Sequence, residues 1–289
     1  MKCRSRSAPG LDPIPLYFLG QIDVSIIANK QTLRYLLDLK QYWVNLKGLN
    51  QTVKSLATGR IEMIISANRP YFAPYPGFFY KAHLSDYLVI LDDVQFPRKT
   101  TWITRNRIKN DQGTLWMTIP VWKKGLGLQQ ISKVRICQTG NWKKKYLRSF
   151  QSAYAHAPFL QNHLNLIEQI FSLQNDFLLD LNMEIINYIL GFLRIETRIV
   201  LMSELGISGK GTPLIIDMCK SLGATQFLVQ TSALAYYDPL QFQSAGLELV
   251  SFKKPEYIYP QMWGDYIANL SILDMMFNCG ATSRDIVLV

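Results

Sequence analysis

The stretch Met63–Gln95, MIISANRPYFAPYPGFFYKAHLSDYLVILDDVQ, decides the fold of this chain. It begins with a short apolar run, Ile64–Ala67, and passes through a turn rich in proline and aromatic residues into a short helix. A second apolar run, Tyr87–Leu91, follows. Two such runs joined by a helical connection predict a βαβ unit with parallel strands. Ligands of parallel sheets usually bind beyond the carboxyl ends of the strands, so the polar residues that follow the two runs are candidates for a functional site.

Polar side chains follow both predicted strands. Asn68 and Arg69 come directly after the first strand, and Asp92, Asp93 and Gln95 come after the second. Carboxylates there can bind a divalent metal, act as a base, or bind an amino or hydroxyl group of a substrate. Because neighbouring residues of an extended chain point to opposite faces, we expect at most one of the two aspartates to face a shared site. The competing interpretation is a pair of solvated turn residues.

The composition is that of a globular protein with an excess of positive charge. The 289 residues suffice for one large domain or two small ones, and the hydrophobic fraction of 48% excludes a wholly disordered chain. The 31 Lys and Arg residues outnumber 21 Asp and Glu residues, which gives a formal charge of +10. This charge favours anionic partners: nucleic acids, nucleotide or sugar phosphates, or acidic lipid headgroups. No apolar run approaches the ~18 residues of a membrane-spanning helix, so no membrane span is predicted.

The cysteines and histidines predict neither a disulfide framework nor a metal site. They are Cys3, Cys137, Cys219 and Cys279, and His83, His156 and His163. The cysteines lie far apart without a CxxC pair, and the histidines lack the spacing of metal ligands. The spacing favours reduced, mostly buried thiols in a cytoplasmic protein. No metal site is predicted, and no motif identifies a cofactor.

Residues 1–62 differ from the rest of the chain. They contain a possible strand and a helix from about Gln31 to Asn50 with a roughly amphipathic pattern. One interpretation is a surface extension that is loosely packed or disordered. The interpretation that we favour is that Met63 is the natural start and that residues 1–62 are an upstream translation, because Met63 directly precedes a buried strand. The chain would then divide into this extension and a domain over residues 63–289.

The segment after the second strand is strongly basic. Between Arg98 and Lys145 there are twelve Lys or Arg residues and one acid, Asp111. Two predicted strands flank the turn NDQG at residues 110–113, which indicates a β-hairpin with Arg105 and Arg107 on one face. Arginines interleaved with tryptophans suit nucleic-acid binding. A smaller polyanion, such as a nucleotide-linked sugar, needs only two or three of these cations, and the remaining alternative is a solvated basic face.

Two amphipathic helices are predicted over residues 160–173 and 176–193, and alternation of strands and helices then resumes. Strands are expected near residues 197–202, 225–229 and 247–252, and Lys133–Cys137 is a further strand candidate. The predicted fold class is therefore α/β: a mainly parallel sheet with flanking helices, a basic β-hairpin insertion and a helical middle segment.

The loop Ser203–Thr212 is the strongest site candidate on physical grounds alone. It places Ser208, Lys210 and two glycine amides before a helix whose predicted N-cap is Thr212. A helix N-terminus carries partial positive charge and free N–H groups, which suit a phosphate or a carboxylate. The loop is not a P-loop, because GxxxxGK[ST] is absent. The alternative is a flexible glycine connection whose lysine is solvated.

Several ordered blocks carry a resemblance to a known family. They are SANRPYFAPYPGFF (66–79), LDDVQF (91–96), NRIK (106–109), SEL (203–205), CKSLGA (219–224) and LSILDMMFNCG (270–280). Together these blocks resemble the WbqC-like proteins, roughly from Met63 to the C-terminus, in which the first block is close to IHQPNYxPWxGFF. Two departures stand out there: Asn68 and Arg69 occupy the positions of the family's histidine and glutamine. Asn68 can donate and accept hydrogen bonds but cannot titrate near neutral pH. Gln230 also stands where the family has a glycine.

The resemblance implies a bacterial biosynthetic enzyme. WbqC-like genes occur with genes for surface-polysaccharide biosynthesis, and the implied activity is transfer of an aminoacyl or acyl group to an amino sugar or a related phosphorylated intermediate in O-antigen assembly. We expect Asn68 to hydrogen-bond the reacting carbonyl or phosphoryl oxygen and Asp92 or Asp93 to orient or deprotonate the attacking amine. Lys210 would bind a phosphate. The predicted substrate-binding residues are Arg69, Gln95, Arg105, Asn106, Arg107, Ser203, Glu204, Lys210, Tyr257 and Gln261.

Two other functions stay open at this point. A nucleotidyltransferase could bind a triphosphate between the loops Ser66–Gly77 and Ser203–Thr212. A nucleic-acid-binding module could use the basic hairpin, although no recognised nucleic-acid motif is present, so nucleic acid is not the partner that we expect. The expected partner is a small phosphorylated or nucleotide-linked substrate, and the aromatic loop around Tyr257 and Gln261 could cover its sugar or base or could simply pack.

Overall fold

Five parallel strands form the central sheet of the computed structural model, which describes residues 62–173 and 175–288. The strands are β1 (Ile64–Asn68), β2 (Tyr87–Ile90), β5 (Arg198–Leu201), β6 (Gln226–Gln230) and β7 (Glu248–Phe252). Their spatial order is β5-β2-β1-β6-β7, and every neighbouring pair is parallel. The predicted α/β class with a mainly parallel sheet is therefore confirmed. Residues 1–61 of the predicted N-terminal extension lie outside the described residues.

An antiparallel hairpin is inserted after β2. It consists of β3 (Arg105–Asn110) and β4 (Gly113–Thr118), and its register pairs Asn110 with Gly113 across the turn. Gly113 has φ = +98°, a backbone conformation that glycine adopts without strain, which explains the tight turn. The predicted basic hairpin insertion is confirmed.

Eight α-helices lie in the described residues. They are α1 (Pro76–His83), α2 (Trp142–Ala153), α3 (Leu160–Ser172), α4 (Leu178–Phe192), α5 (Gly211–Ser221), α6 (Pro239–Ser244), α7 (Ile272–Cys279) and α8 (Ser283–Val287). Short 3-10 helices lie at Ile131–Lys133, Met202–Leu205, Thr231–Tyr236 and Gly280–Thr282. Helices α2, α3 and α4 form the predicted helical middle segment, and in the part of the chain that the structure describes no helix is long and apolar enough to cross a membrane.

The side chains of the strands alternate between two hydrophobic cores. Leu88 and Ile90 of β2 pack into a large core with α1, the hairpin and helices α2, α3, α4 and α7. Ile65 of β1 and Val89 of β2 pack into a second core with α5 and α6. Alternation along an extended strand sends successive residues to opposite faces, so the two cores lie on the two faces of the sheet. Consequently α1 and α5 cover different faces.

Two local predictions were wrong. Lys133–Cys137 is not a strand: Ile131–Lys133 form a 3-10 turn, and only isolated bridges at Arg135 and Ile136 follow it. Thr212 is not the N-cap of α5, because the helix begins at Gly211 after Lys210. The hydroxyl of Thr212 instead accepts a hydrogen bond from the amide of Asp238 at 3.1 Å, so a tertiary contact uses the group that the local pattern assigned to capping.

Candidate functional site

The direction in which successive strands are added to the sheet reverses at β1, and β1 and β6 pair only over their first residues. The crossover from β1 goes to β2 on one side, whereas β6 and β7 are added on the other side. Doubly wound sheets bind ligands at such a reversal, beyond the carboxyl ends of the strands. The ladder between β1 and β6 covers only Ile64 and Ile65, although β1 continues to pair with β2 as far as Asn68. The carboxyl ends of β1 and β6 therefore separate at the point where a ligand is expected.

Lys81 of α1 occupies the end of β1 beside this opening. Its Nζ donates to the carbonyl oxygen of Ala67 at 2.7 Å and to Oδ1 of Asn68 at 3.2 Å. Burial lowers the pKa of the Lys81 ammonium from 10.5 to about 8. Among the described residues no carboxylate forms an ion pair with it. An ammonium group has three donors, so one remains for a ligand.

Sequence reasoning missed Lys81, although the helical period contained the signal. Positions 77, 78 and 81 share one face of a helix. Gly77 and Phe78 of α1 are both buried, so a lysine at position 81 is placed on the buried face of the helix. A charged residue on the apolar face of a short helix is unusual enough to be a site candidate.

Tyrosines and a second lysine surround the first turn of α1. Gly77 packs so closely that a Cβ there would lie 2.5 Å from Cε2 of Tyr75 and 2.8 Å from Cδ of Lys254. The Nζ of Lys254 lies 5.6 Å from the ring centroid of Tyr75 and 6.0 Å from that of Tyr257. Gly77 and Lys81 are four residues apart on one helix face, so this cluster and Lys81 lie on the same side of α1.

Tyr257, a predicted substrate-binding residue, belongs to this cluster. Its side chain is 6% exposed, and among the described residues its hydroxyl has no hydrogen-bond partner. Burial raises the pKa of Tyr257 well above 10, and the neighbouring Tyr75 and Tyr80 raise it further. A buried hydroxyl without a partner costs free energy, which a hydrogen bond to a ligand would offset. Burial also lowers the pKa of Lys254, although Glu256 opposes this effect.

The carboxylate of Asp92 lies elsewhere, between the ends of β2 and β5. Asp92 is 1% exposed; its Oδ1 accepts from the amide of Ser203 at 3.0 Å and its Oδ2 from the hydroxyl of Ser203 at 2.6 Å. Oε2 of Glu204 accepts from the amide of Leu201 at 3.1 Å. Asp92 and Ser203 therefore connect the ends of β2 and β5, whereas Glu204 closes the turn that follows β5. Asp93 is half-buried and, within the described residues, forms no hydrogen bond through its carboxylate.

Lys210 lies on the far side of the sheet. It is exposed and precedes α5, which packs into the core on the face opposite α1. The two glycines beside it, Gly209 and Gly211, have φ values of +141° and +66°, which glycine alone adopts readily. The loop therefore keeps the backbone expected of an anion site, but the structure does not bring Lys210 together with Lys81.

The predicted polar residues of the hairpin contact neighbouring loops. Nδ2 of Asn106 donates to the carbonyl oxygens of Phe72 and Ala73 at 3.1 and 2.6 Å. A terminal nitrogen of Arg107 donates to the carbonyl of Ala268 at 2.9 Å. The guanidinium of Arg105 lies 4.2 Å from the centroid of the indole ring of Trp116, as in cation–π contacts.

Of the other three predicted residues, two are exposed and Gln261 is half-buried. Arg69 is exposed, and Gln95 is exposed and forms an isolated bridge with Gln130. Oε1 of Gln261 accepts from the amide of Ile267 at 2.9 Å and from Nζ of Lys109 at 3.3 Å, so Gln261 closes its own loop. Among the described residues no cluster of His, Cys, Asp and Glu could hold a metal ion.

The structure therefore places Asn68 and Lys81 together at the end of β1, and Tyr257 and Lys254 together beside the first turn of α1. The polar atoms of four other predicted residues mainly form hydrogen bonds within the protein: Asp92, Ser203, Asn106 and Gln261. Lys210 lies in a different loop, before α5. The arrangement can bind an anionic group through the ammonium of Lys81. That ammonium can also exchange a proton at slightly alkaline pH, which Asn68 cannot do.

Comparison with known proteins assigns the chain to a family. An uncharacterized protein of Mycobacterium tuberculosis (strain ATCC 25618 / H37Rv), Rv1507c, is 31% identical over 216 residues, which cover 74% of this chain and 93% of the relative. No solved structure matches the chain. The sequence model of the WbqC-like protein family matches residues 69–286, a range that contains α1, the hairpin and four of the five sheet strands in full. The chain belongs to the WbqC-like protein family.

Proposed function

We propose that this protein is a transferase that binds a phosphorylated small molecule at the opening beside β1 and moves an aminoacyl or acyl group to an amine of a sugar. The observation that carries the proposal is the desolvated ammonium of Lys81 at the reversal of strand order, which pairs with no carboxylate of the described residues. The setting that we propose is bacterial surface-polysaccharide assembly in the cytoplasm, in keeping with the resemblance to the WbqC-like family.

Electrostatics supports an anionic ligand. Burying a charge is costly unless an opposite charge or several hydrogen bonds compensate it. Lys81 has two hydrogen bonds to neutral oxygens and no opposite charge among the described residues. A phosphate or carboxylate at the opening would supply that charge, with Lys254 as a second cation. Tyr257 would donate its unpartnered hydroxyl to the same ligand.

The same groups can support acyl transfer. The acceptor amine attacks the acyl carbon, a C–N bond forms, and the bond from the acyl carbon to the donor's leaving oxygen breaks. The proton that the amine loses goes to the departing oxygen, and the ammonium of Lys81 stabilises the negative charge that develops on that oxygen. The Nδ2 group of Asn68 is the donor for the carbonyl oxygen, because its Oδ1 accepts from Lys81.

Calorimetry at about pH 8.5 tests the binding step. An anion beside Lys81 favours its charged form, so binding should take up about half a proton or more from the buffer. Titrations of nucleotide-sugars, a hexose 1-phosphate and inorganic phosphate in buffers of different ionisation enthalpy measure that uptake. Lys81→Met should abolish the uptake, whereas Lys133→Met, which changes an exposed lysine, should leave it intact. Binding without proton uptake in the unsubstituted protein would remove Lys81 from the ligand site.

A second candidate function is nucleotidyl transfer. The strand order β5-β2-β1-β6-β7 matches the first five positions of the doubly wound dinucleotide-binding sheet. The glycine-bearing loop before α5 offers a further anion site. Release of pyrophosphate from a nucleoside triphosphate in the presence of a sugar phosphate would favour this function, and acyl transfer without pyrophosphate would favour the first.

A further inference from the structure

A cavity of about 620 Å³ lies between the hairpin turn and helix α2. Its volume is that of a site for a small molecule. It is distinct from the opening beside β1, because the two regions lie near opposite ends of β3. Asn106 contacts the loop after β1, while Asn110, four residues further along the strand, lines the cavity. Four residues of a strand span about 13 Å.

Three cations line the α2 side of this cavity. Lys144, Lys145 and Arg148 lie on it, and their spacing of three and four residues places them on one helix face. In the part of the chain that the structure describes, none of them forms an ion pair. Asp111 is the acidic residue of the lining, and its Oδ2 accepts a hydrogen bond from the side chain of Gln112 at 3.1 Å. Like charges on adjacent helix positions repel one another, so a bound anion would stabilise this face.

The indole ring of Trp263 also lines the cavity, at the C-terminal end of α2. Trp263 has φ = +62°, a conformation that bulky side chains rarely adopt and that often accompanies ligand sites. Its Nε1 donates to the carbonyl of Ala153 at 2.6 Å, and Nζ of the buried Lys109 donates to the carbonyl of Asp265 at 2.5 Å. The first bond fixes the indole ring against α2, and the second fixes the loop that carries Trp263.

We propose that this cavity is a second binding site, for a phosphorylated ring compound such as a nucleoside diphosphate or a sugar phosphate. The phosphate would lie against Lys144, Lys145 and Arg148. The ring would stack on Trp263, since nucleobases and other flat rings bind favourably against an aromatic face. The Nδ2 group of Asn110, whose Oδ1 accepts from the amide of Gln112 at 3.1 Å, supplies a further donor in the lining of the cavity.

The experiment is a calorimetric titration of the full chain with uridine diphosphate, a hexose 1-phosphate and inorganic phosphate. We expect the double variant Lys145→Ala, Arg148→Ala to weaken binding of the phosphorylated ring compounds by about tenfold or more. Trp263→Leu should weaken their binding and leave that of inorganic phosphate unchanged. Lys81→Met should retain binding in this cavity, which separates a failure of this proposal from a failure of the site beside β1.

Control variants and further outcomes make the result decisive. The control is the double variant Lys133→Ala, Lys99→Ala, which removes two exposed cations that do not line the cavity. It should bind the ligands with the affinity of the unsubstituted protein. Preference for the diphosphate would identify a nucleotide, and preference for the hexose 1-phosphate would identify a sugar phosphate; either result supports the proposal. Equal affinities of the cavity double variant and the control, or no binding at millimolar ligand, would overturn it. Binding of a single-stranded oligonucleotide alone, with steep salt dependence, would overturn it in favour of a nucleic-acid surface.

Discussion

The substitution Lys81→Met tests the central feature of the site, a desolvated ammonium group that has no counter-charge within residues 62–173 and 175–288. Methionine keeps a long flexible side chain and removes the charge. Burial lowers the pKa of Lys81 from 10.5 to about 8, which corresponds to about 3 kcal/mol that folding must supply at neutral pH. Two hydrogen bonds, to Ala67 and Asn68, offset part of this cost in the charged form.

The sign of the pH dependence follows from the direction of the pKa change. Between pH 8 and pH 10.5 the unfolded chain binds more protons at this lysine than the folded chain does, so folding becomes more favourable as pH rises. Below pH 8 the full cost is present, and above pH 10.5 it has gone. The unsubstituted protein should therefore gain about 3 kcal/mol relative to Lys81→Met across that interval.

Urea denaturation of both proteins at a series of pH values measures this difference, and subtraction removes the titrations that the two proteins share. The carbonyl of Ala67 loses its side-chain donor in the variant, which adds a constant offset of about 1–3 kcal/mol but no slope. Lys133→Met serves as the matched control because that lysine is exposed. A stability difference that stays constant from neutral pH to pH 10.5 would refute the buried ammonium.

Three further substitutions test contacts elsewhere. Asp92→Ala removes the acceptor of two hydrogen bonds from Ser203 and should lower the free energy of unfolding in urea by about 2–3 kcal/mol. Burial lowers the pKa of His163 from 6.5 to about 4, so between these pH values the unfolded chain binds a proton that the folded chain does not. The free energy of unfolding should therefore fall by about 3 kcal/mol from pH 6.5 to pH 4. In urea titrations His163→Leu should lose this part of the pH dependence. Gly280→Ala places a Cβ 2.6 Å from the ring of Phe159 at φ = +54° and should cost at least about 2 kcal/mol by thermal denaturation.

Each of these predictions has a distinguishing result. Asp92→Asn keeps one acceptor oxygen for the amide of Ser203, so it should be more stable than Asp92→Ala. Equal stability of the two variants would show that this hydrogen bond does not stabilise the fold. An acid slope that His163→Leu leaves unchanged would mean that the imidazole is charged in the folded state. Gly140 has φ = +85° and nothing within 4 Å of an added Cβ, so Gly140→Ala isolates backbone strain from the clash at Gly280; equal costs would contradict the clash.

The parallel sheet could be predicted because its strands are short apolar runs with polar ends. Tyr87–Ile90 and Gln226–Gln230 are almost wholly buried, and such strands appear in the sequence as continuous apolar segments. The hairpin could be predicted from its turn residues. Lys133–Cys137 shows where this approach fails. Its alternating pattern is that of a strand, but the pattern cannot show whether a neighbouring strand is present to pair with it.

The candidate site was only partly predictable. Asn68 follows a recognisable strand, so its position at the sheet edge could be inferred. The partner of each polar group could not, because hydrogen-bond partners come from distant parts of the chain. Asp92 meets Ser203, and Asn106 meets the loop at Phe72. Residues that look like substrate ligands in the sequence are therefore used, in three dimensions, to join loops.

The sequence by itself determined the α/β class, the family blocks and the polar strand ends, because hydrophobic period and turn chemistry are local properties of the chain. Only the tertiary structure decided which groups meet. The strand order placed the opening between β1 and β6, and α1 turned Lys81 towards it. A pKa of about 8 for a lysine follows from burial, which depends on packing between distant segments. For the same reason, a family block with asparagine at the histidine position can still contain a group that exchanges protons near neutral pH.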